Sequence, residues 1–238
     1  MKGNILLIGA SGDIGSAIAK KLLDTGYQLI LHYHSNQAPI KELMQADERN
    51  AILAAYQADL ADEAEVADFI EAVSISVDGI IFAGGHAHYG LFQDMRAEEM
   101  DDLLQVHVKS PWLITHHFLP AMIRQRKGNI LFVTSIWGDY GASNEVVYSS
   151  VKGAQNIFVK ALAKEVALSN IRVNAVSPGF IDTKMNHNLS LEEADAFINE
   201  IPENRAGRPE EVANVISYLL SEESSYIQGE VIHINGGL

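Results

Sequence analysis

Seven short apolar runs, each separated from the next by a longer polar or amphipathic stretch, restrict this chain more than any other feature of its sequence. The runs are Ile5–Ile8, Leu29–Tyr33, Ile52–Tyr56, Gly79–Phe82, Ile130–Thr134, Val173–Ser177 and Val231–Ile234. Several are apolar without period-two alternation, as strands buried on both faces of a parallel sheet should be. Between them lie helix-like segments, among them Ile14–Asp24, Asp62–Val73, Met100–Arg124, Val151–Leu168 and Glu210–Ser221. Alternating strands and helices predict βαβ units, right-handed crossovers and a mostly parallel seven-stranded sheet with helices on both faces, an α/β fold. No repeat or Pro/Gly-rich linker divides residues 1–238, so one domain is expected. The stretch Gly179–Arg208 is the least regular and reads as an excursion beside the substrate, with a short helix around Leu191–Asn199.

Charge and composition narrow the function. The chain of 238 residues carries 31 acidic side chains against 17 Lys and Arg, a formal charge of −14. That field repels phosphate backbones and anionic lipid, which argues against nucleic acid and membrane surfaces as partners. There is no cysteine, so disulfides, thiolate catalysis and Cys-based metal sites are excluded. The apolar run after Met1-Lys2-Gly3-Asn4 meets Gly9 too soon to form a signal-peptide core or to cross a bilayer, and a cytoplasmic protein is expected.

The first run leads into Gly9-Ala10-Ser11-Gly12-Asp13-Ile14-Gly15, and a helical pattern follows at once. Glycines at such a turn let the backbone approach a pyrophosphate, whose charge sits at the helix N-terminus. At the end of the second run, an acidic residue would favour NAD by accepting from a ribose 2′-hydroxyl. His32-Tyr33-His34-Ser35-Asn36 holds no acid, and His34, Ser35 and Asn36 are able to donate to a 2′-phosphate, which favours NADP over NAD. Asp59-Leu60 follows the third run, where Asp59 is read either as a nucleotide contact or as an N-cap of the next helix.

Tyr148-Ser149-Ser150-Val151-Lys152 sets a phenol and an ammonium four residues apart, on one face of a helix. Ser135 stands thirteen residues before Tyr148, directly after the fifth run, and Asn174-Ala175-Val176-Ser177-Pro178-Gly179 follows on the sixth. Gly207-Arg208-Pro209-Glu210 and the closing Asn235-Gly236-Gly237 complete an ordered set. Across nearly the whole chain this set resembles the short-chain dehydrogenase/reductase family, with its single Rossmann-like domain, and in particular its 3-oxoacyl-thioester reductases.

The resemblance implies a carbonyl reductase with Ser135, Tyr148 and Lys152 at one site and no metal. Tyr148 is then the general acid, Ser135 steadies the developing alkoxide, and Lys152 holds the nicotinamide ribose. A lysine cation about 4 Å away would favour phenolate and lower the phenol's pKa by up to about three units from its usual ~10. The cofactor set implied is Gly9, Ser11, Gly12, Asp13, Ile14, Gly15, His34, Ser35, Asn36, Asp59, Leu60, Ala83, Gly84, Tyr148, Lys152, Pro178, Gly179, Ile181 and Thr183. For Asp59 the family role is a contact to the adenine amino group.

Five positions depart from the family pattern. Asp13 replaces the middle glycine of the loop and Ile8 a threonine. Ile81-Phe82 replaces a pair of asparagines that tie the central sheet. His107 replaces the asparagine of the proton relay, which is expected to steepen the pH dependence. Asp13 is expected to face the phosphates.

The implied substrate is a small-molecule or carrier-borne carbonyl, a 3-oxoacyl thioester by default. Lys109, Arg124, Arg126 and Lys127 would form the local basic patch that an acidic carrier needs. Ser135-Ile136-Trp137-Gly138, Gly141-Ala142-Ser143 and Val151-Lys152-Gly153-Ala154-Gln155 also resemble a bacterial branch that reduces a 5-aminopentanone group on elongation factor P. A non-catalytic NADP-binding regulator is the reading from a different class. The family's long helices, here around Met100–Arg124 and Val151–Leu168, imply a homo-oligomer, a tetramer. His86 and His88 are read as substrate contacts or solvated groups, and Trp137 as lining a substrate pocket.

Overall fold

A computed structural model describes residues 2–186 and 191–238. Its strands are β1 (Asn4–Ile8), β2 (Gln28–Tyr33), β3 (Ile52–Gln57), β4 (Gly79–Phe82), β5 (Gly128–Val133), β6 (Ile171–Pro178) and β7 (Val231–Ile234). They form one sheet in the order β3-β2-β1-β4-β5-β6-β7, with every pair parallel. The expected seven-stranded α/β fold is what the chain adopts. The order reverses between β1 and β4, which opens a crevice at the carboxyl ends of the strands.

The absence of alternation in the strands now has its cause. Successive side chains of a strand point to opposite faces. Leu6, Ile8, Ile30, Ile80 and Ile130 enter one apolar cluster, while Ile5, Leu7, Leu29, Leu31 and Leu131 enter the other. Both faces are covered by helices, so both must be apolar.

The helices are α1 (Asp13–Asp24), α2 (Ala38–Ala46), α3 (Glu63–Ala72), α4 (Ala97–Leu104), α5 (Ser110–Gln125), α6 (Trp137–Tyr140), α7 (Val146–Val166), α8 (Leu191–Glu200) and α9 (Pro209–Leu220). Two boundaries differ from expectation. Helix α7 begins five residues before Val151, so Tyr148 sits inside it rather than ahead of it. The long segment Met100–Arg124 is three pieces, because a π turn over Gln105–Lys109 separates α4 from α5. Pro111 has no N–H to return to the carbonyl four residues back, which belongs to His107. Gln155 Nε2 donates to that carbonyl instead, at 2.7 Å.

The lost asparagine pair of β4 is replaced by packing. Ile81 and Phe82 are buried, and Phe82 stacks on Phe132 of β5 with ring centroids 4.5 Å apart. An offset aromatic pair supplies in dispersion and burial what the amides would supply in hydrogen bonds.

Candidate active site

A cleft of about 820 Å³ opens at the carboxyl ends of the central strands. Ser135, Tyr148, Lys152 and His107 all line it, together with Ala83, Gly84, Pro178, Gly179, Ile181 and Thr183. The first four come from the segment just after β5, from α7 and from the π turn, so the sheet and its helices gather what the sequence spreads over 46 positions.

Thr134 is pinned to β6 by its N–H and hydroxyl, both donating to the Val176 carbonyl, and Ser135 follows at the rim. The Trp137 N–H donates to Ser135 Oγ at 3.2 Å. That occupies a lone pair and leaves the hydroxyl proton for the Tyr148 phenol, to which Ser135 is hydrogen-bonded. Lys152, one turn further along α7, donates from Nζ to the Val133 carbonyl at 3.1 Å and lies 5.5 Å from the Tyr148 ring centroid.

The ionisation differs from expectation. Burial pushes the phenol of Tyr148 above its ordinary range, with the Glu145 carboxylate adding to the rise. Burial also pushes Lys152 down to about 7. The expected lowering of the phenol by Lys152 therefore does not operate in the site as it stands. Desolvation disfavours the charged form of both groups, and a lysine whose own charge is discouraged is a weak partner.

His107 is also buried, with Nε2 2.8 Å from the His86 carbonyl. A carbonyl only accepts, so Nε2 carries the proton and Nδ1 presents a lone pair; Nδ1 is buried without a protein partner. Burial, and then the charge of Lys152, push the ring well below its ordinary value. The expected steepening of pH dependence is therefore corrected: this histidine stays neutral through the physiological range. Its ring fits because Gly85 has φ +143° and no side chain, and a Cβ there would fall 2.2 Å from Cε1.

The cradle beside β1 is built backbone on backbone. Gly9 has φ +79°, and a Cβ on it would fall 2.3 Å from Gly84 Cα. A Cβ on Gly15 would lie 2.1 Å from the Gly9 carbonyl oxygen. Gly12 caps α1 without a side-chain bond, which leaves the first N–H groups of the helix for an anion. Ser11 and Ile14 flank it.

Asp13 does not face into this cradle as expected. Its Oδ2 accepts from the Lys184 N–H at 2.7 Å, which ties the segment after β6 to the start of α1. The sequence reading missed this because the partner is 171 residues away.

At the far end of the cradle His34 and Ser35 are exposed, and Asn36 spends its Oδ1 on the Ala38 N–H at the start of α2. His34 Nε2 lies 3.6 Å from Asp59 Oδ2. The cap of α3 is Asp62, which accepts from the N–H groups of Ala64 and Glu65; Asp59 instead closes its own turn through the Ala61 N–H. Leu60 is a core residue whose carbonyl accepts from Ser110, so its N–H is what it offers to a base.

The outer end of the cleft is aromatic and acidic. Trp137 meets Phe197 edge-on at 5.7 Å, and Phe180 packs on Phe197 at 5.0 Å. Glu145 and Glu193 line the same end. The Glu145 carboxyl is raised by burial, with a Trp137 hydrogen bond opposing. His86 and His88 each pair with a carboxylate of α4, Asp102 at 2.7 Å and Glu99 at 3.9 Å.

The four expected cations do not form one patch: Arg124, Arg126 and Lys127 stay together at the C-terminal end of α5, and Lys109 stands at the other end. Lys109 pairs with Glu63, Lys127 with Asp78, and Arg126 donates to the Leu168 carbonyl. Lys109 and Lys127 flank opposite ends of a 16-residue helix, which at 1.5 Å per residue holds them over 20 Å apart. Among the described residues, no helix is long and apolar enough to cross a membrane.

Comparison with known proteins agrees with this architecture. Residues 9–238 match the sequence model of the family described as Enoyl-(acyl carrier protein) reductase. The chain is 42% identical over 241 residues to the Uncharacterized oxidoreductase YmfI of Bacillus subtilis (strain 168), covering 100% of this chain and 99% of that protein. It is 37% identical over 243 residues to the 3-oxoacyl-[acyl-carrier-protein] reductase FabG of Aquifex aeolicus (strain VF5), covering 100% and 98%. A solved structure of a 3-oxoacyl (acyl-carrier-protein) reductase from Agrobacterium tumefaciens C58, with NADP bound, superposes with a TM-score of 0.90 at 26% identity, covering 99% of this chain and 94% of that one.

Proposed function

The chain belongs to the short-chain dehydrogenase/reductase family, and from that we propose that it is an NADP-dependent oxidoreductase that reduces a carbonyl to an alcohol, acting on a 3-oxoacyl thioester with Tyr148 as general acid. The observation that carries this reading is the convergence of Ser135, Tyr148 and Lys152 on one wall of one cleft.

The residues present fit a dinucleotide. Ser11, Asp13 and Ile14 would hold the pyrophosphate through main-chain N–H groups at the start of α1, between the close-packed Gly9 and Gly15, while Gly12, whose N–H closes the turn on the Gly9 carbonyl, would leave room for it. His34, Ser35 and Asn36 would hold a 2′-phosphate, and Asp59 with the Leu60 N–H the adenine. Ala83, Gly84 and Lys152 would hold the nicotinamide ribose, with Pro178, Gly179, Ile181 and Thr183 on the nicotinamide side. Bound NADPH supplies the hydride.

The chain itself supplies the proton and the place for the charge. Burial keeps the Tyr148 phenol protonated at neutral pH, as an acid for reduction must be. The Ser135 hydroxyl, aimed by the Trp137 N–H, shares the developing alkoxide. Lys152 becomes the stronger partner only after that transfer, because the phenolate left behind favours its ammonium form. His107 Nδ1 takes the relay asparagine's place as a neutral acceptor.

A second reading has its own observation. The cleft's outer end offers carboxylates and aromatic faces, a chemistry suited to a cation. The expected docking patch for an acidic carrier loses Lys109, and Lys127 and Arg126 already have partners. A ketone that carries an amine, such as the 5-aminopentanone group on elongation factor P, fits that end better than a carrier thioester.

One assay separates these. Purified protein should oxidise NADPH in preference to NADH with acetoacetyl-coenzyme A if the thioester reading holds. If the amine reading holds, a short amino ketone is the better substrate, and Glu145→Gln raises its KM about tenfold while leaving a neutral ketone unchanged. NADPH binding without turnover of either substrate would mark a regulator instead.

Assembly follows the same reading. Leu104, Trp112 and Ile123 around α5, with Ile157 on α7 and Leu168 beyond it, are exposed large apolar side chains. A homotetramer through these helices covers them, and sedimentation as a single chain at micromolar concentration would sink the assignment.

A further inference from the structure

His32 stands in the middle of a strand buried on both faces, 2% exposed, where a polar ring has to find partners. It finds two, on different elements. The Gly9 N–H donates to Nδ1 at 3.2 Å, and Nε2 lies 3.1 Å from the Ala58 carbonyl beyond β3. Its main-chain carbonyl accepts from the Ala10 N–H at 2.8 Å. His32 thus holds two successive N–H groups of the glycine turn, one with its ring and one with its backbone. The Phe69 ring, with its centroid 5.1 Å away, backs the imidazole.

These partners fix the ring's state. Gly9 N–H can only donate and the Ala58 carbonyl can only accept, so Nε2 carries the single proton and Nδ1 the lone pair. Burial pushes His32 down to about 4, in keeping with a neutral ring. The other side of Gly9 is fixed as well, because its carbonyl accepts from the Gly12 N–H.

We infer that His32 is a positioning residue for the cofactor: its imidazole, bridging Gly9 and Ala58, sets the glycine turn in the shape that receives the pyrophosphate. It does not touch the cofactor. It decides where the Gly9–Gly15 backbone sits against Gly84, and so where the first N–H groups of α1 point. The inference rests on the dinucleotide-binding reading.

The test uses three variants of the full chain. His32→Asn retains an acceptor near Nδ1, His32→Gln retains a donor near Nε2, and His32→Leu retains neither. Fluorescence titration with NADPH should show about tenfold weaker binding for Gln and Leu, and less than about threefold weaker for Asn. In the free proteins, hydrogen exchange at the Gly9 and Ala10 amides should quicken in Gln and Leu and hold in Asn. Equal affinities for Asn and Gln would overturn the inference, as would a lowered melting temperature with unchanged affinity and exchange. Should the wild-type chain fail to bind NADPH, the cofactor reading falls, while the exchange arm still decides whether His32 holds the turn.

Discussion

Tyr148→Phe should lower kcat for carbonyl reduction by about 10³-fold while leaving the NADPH dissociation constant within about threefold. The phenol hydroxyl is the acidic group that Ser135 meets. Its neighbours leave it protonated: burial and the Glu145 charge act in one direction, and only the Ser135 bond opposes them. Loss of the hydroxyl therefore removes the acid without removing a charge. The fold should tolerate it, because a buried phenyl ring has less polar surface to satisfy. A steady-state comparison at saturating NADPH checks this, and a kcat within tenfold of wild type would remove Tyr148 from the chemistry.

Lys152→Met should do two things at once, abolishing turnover by at least about 10²-fold and stabilising the cofactor-free protein. The amine is buried and falls from 10.5 to about 7 on folding. The unfolded chain then binds that proton more tightly than the folded one, so stability drops as pH falls from 10.5 towards 7 and the whole penalty is present at neutrality. Three and a half pH units amount to up to about 5 kcal/mol. Removing the donor to the Val133 carbonyl takes back about 2 kcal/mol. The net is a rise in melting temperature of about 5–10 °C at pH 7 that shrinks by pH 9.5. Parallel melting curves for the two proteins across that range would show that the ammonium carries no folding penalty. Such a trade of stability for a poised group is what a reaction centre built into a core entails.

The chain's own sequence determined whatever depends on neighbours within a turn or a strand. Seven apolar runs without alternation implied a sheet covered on both faces, and the two clusters that divide Ile5 and Leu7 from Leu6 and Ile8 are the cause of that pattern. Tyr148 and Lys152 were legible because helical spacing alone puts them on one face. Tertiary structure decided whatever depends on a partner from elsewhere. Asp13 looked like an obstacle to phosphate until its carboxylate met the Lys184 N–H. Lys109 was parted from Arg124, Arg126 and Lys127 because α5 is stiff and long, which no residue count near Lys109 reveals. The pKa values of Tyr148 and Lys152 followed burial, a property of the assembled cleft, rather than their mutual spacing. His32 and Gln155 left a signal that was passed over: a polar side chain inside an apolar run, or one turn beyond Lys152 on the same helix face, has to be satisfied somewhere. Spacing along the chain is short-range information. Desolvation and hydrogen-bond partnership are set by atoms that only folding brings together.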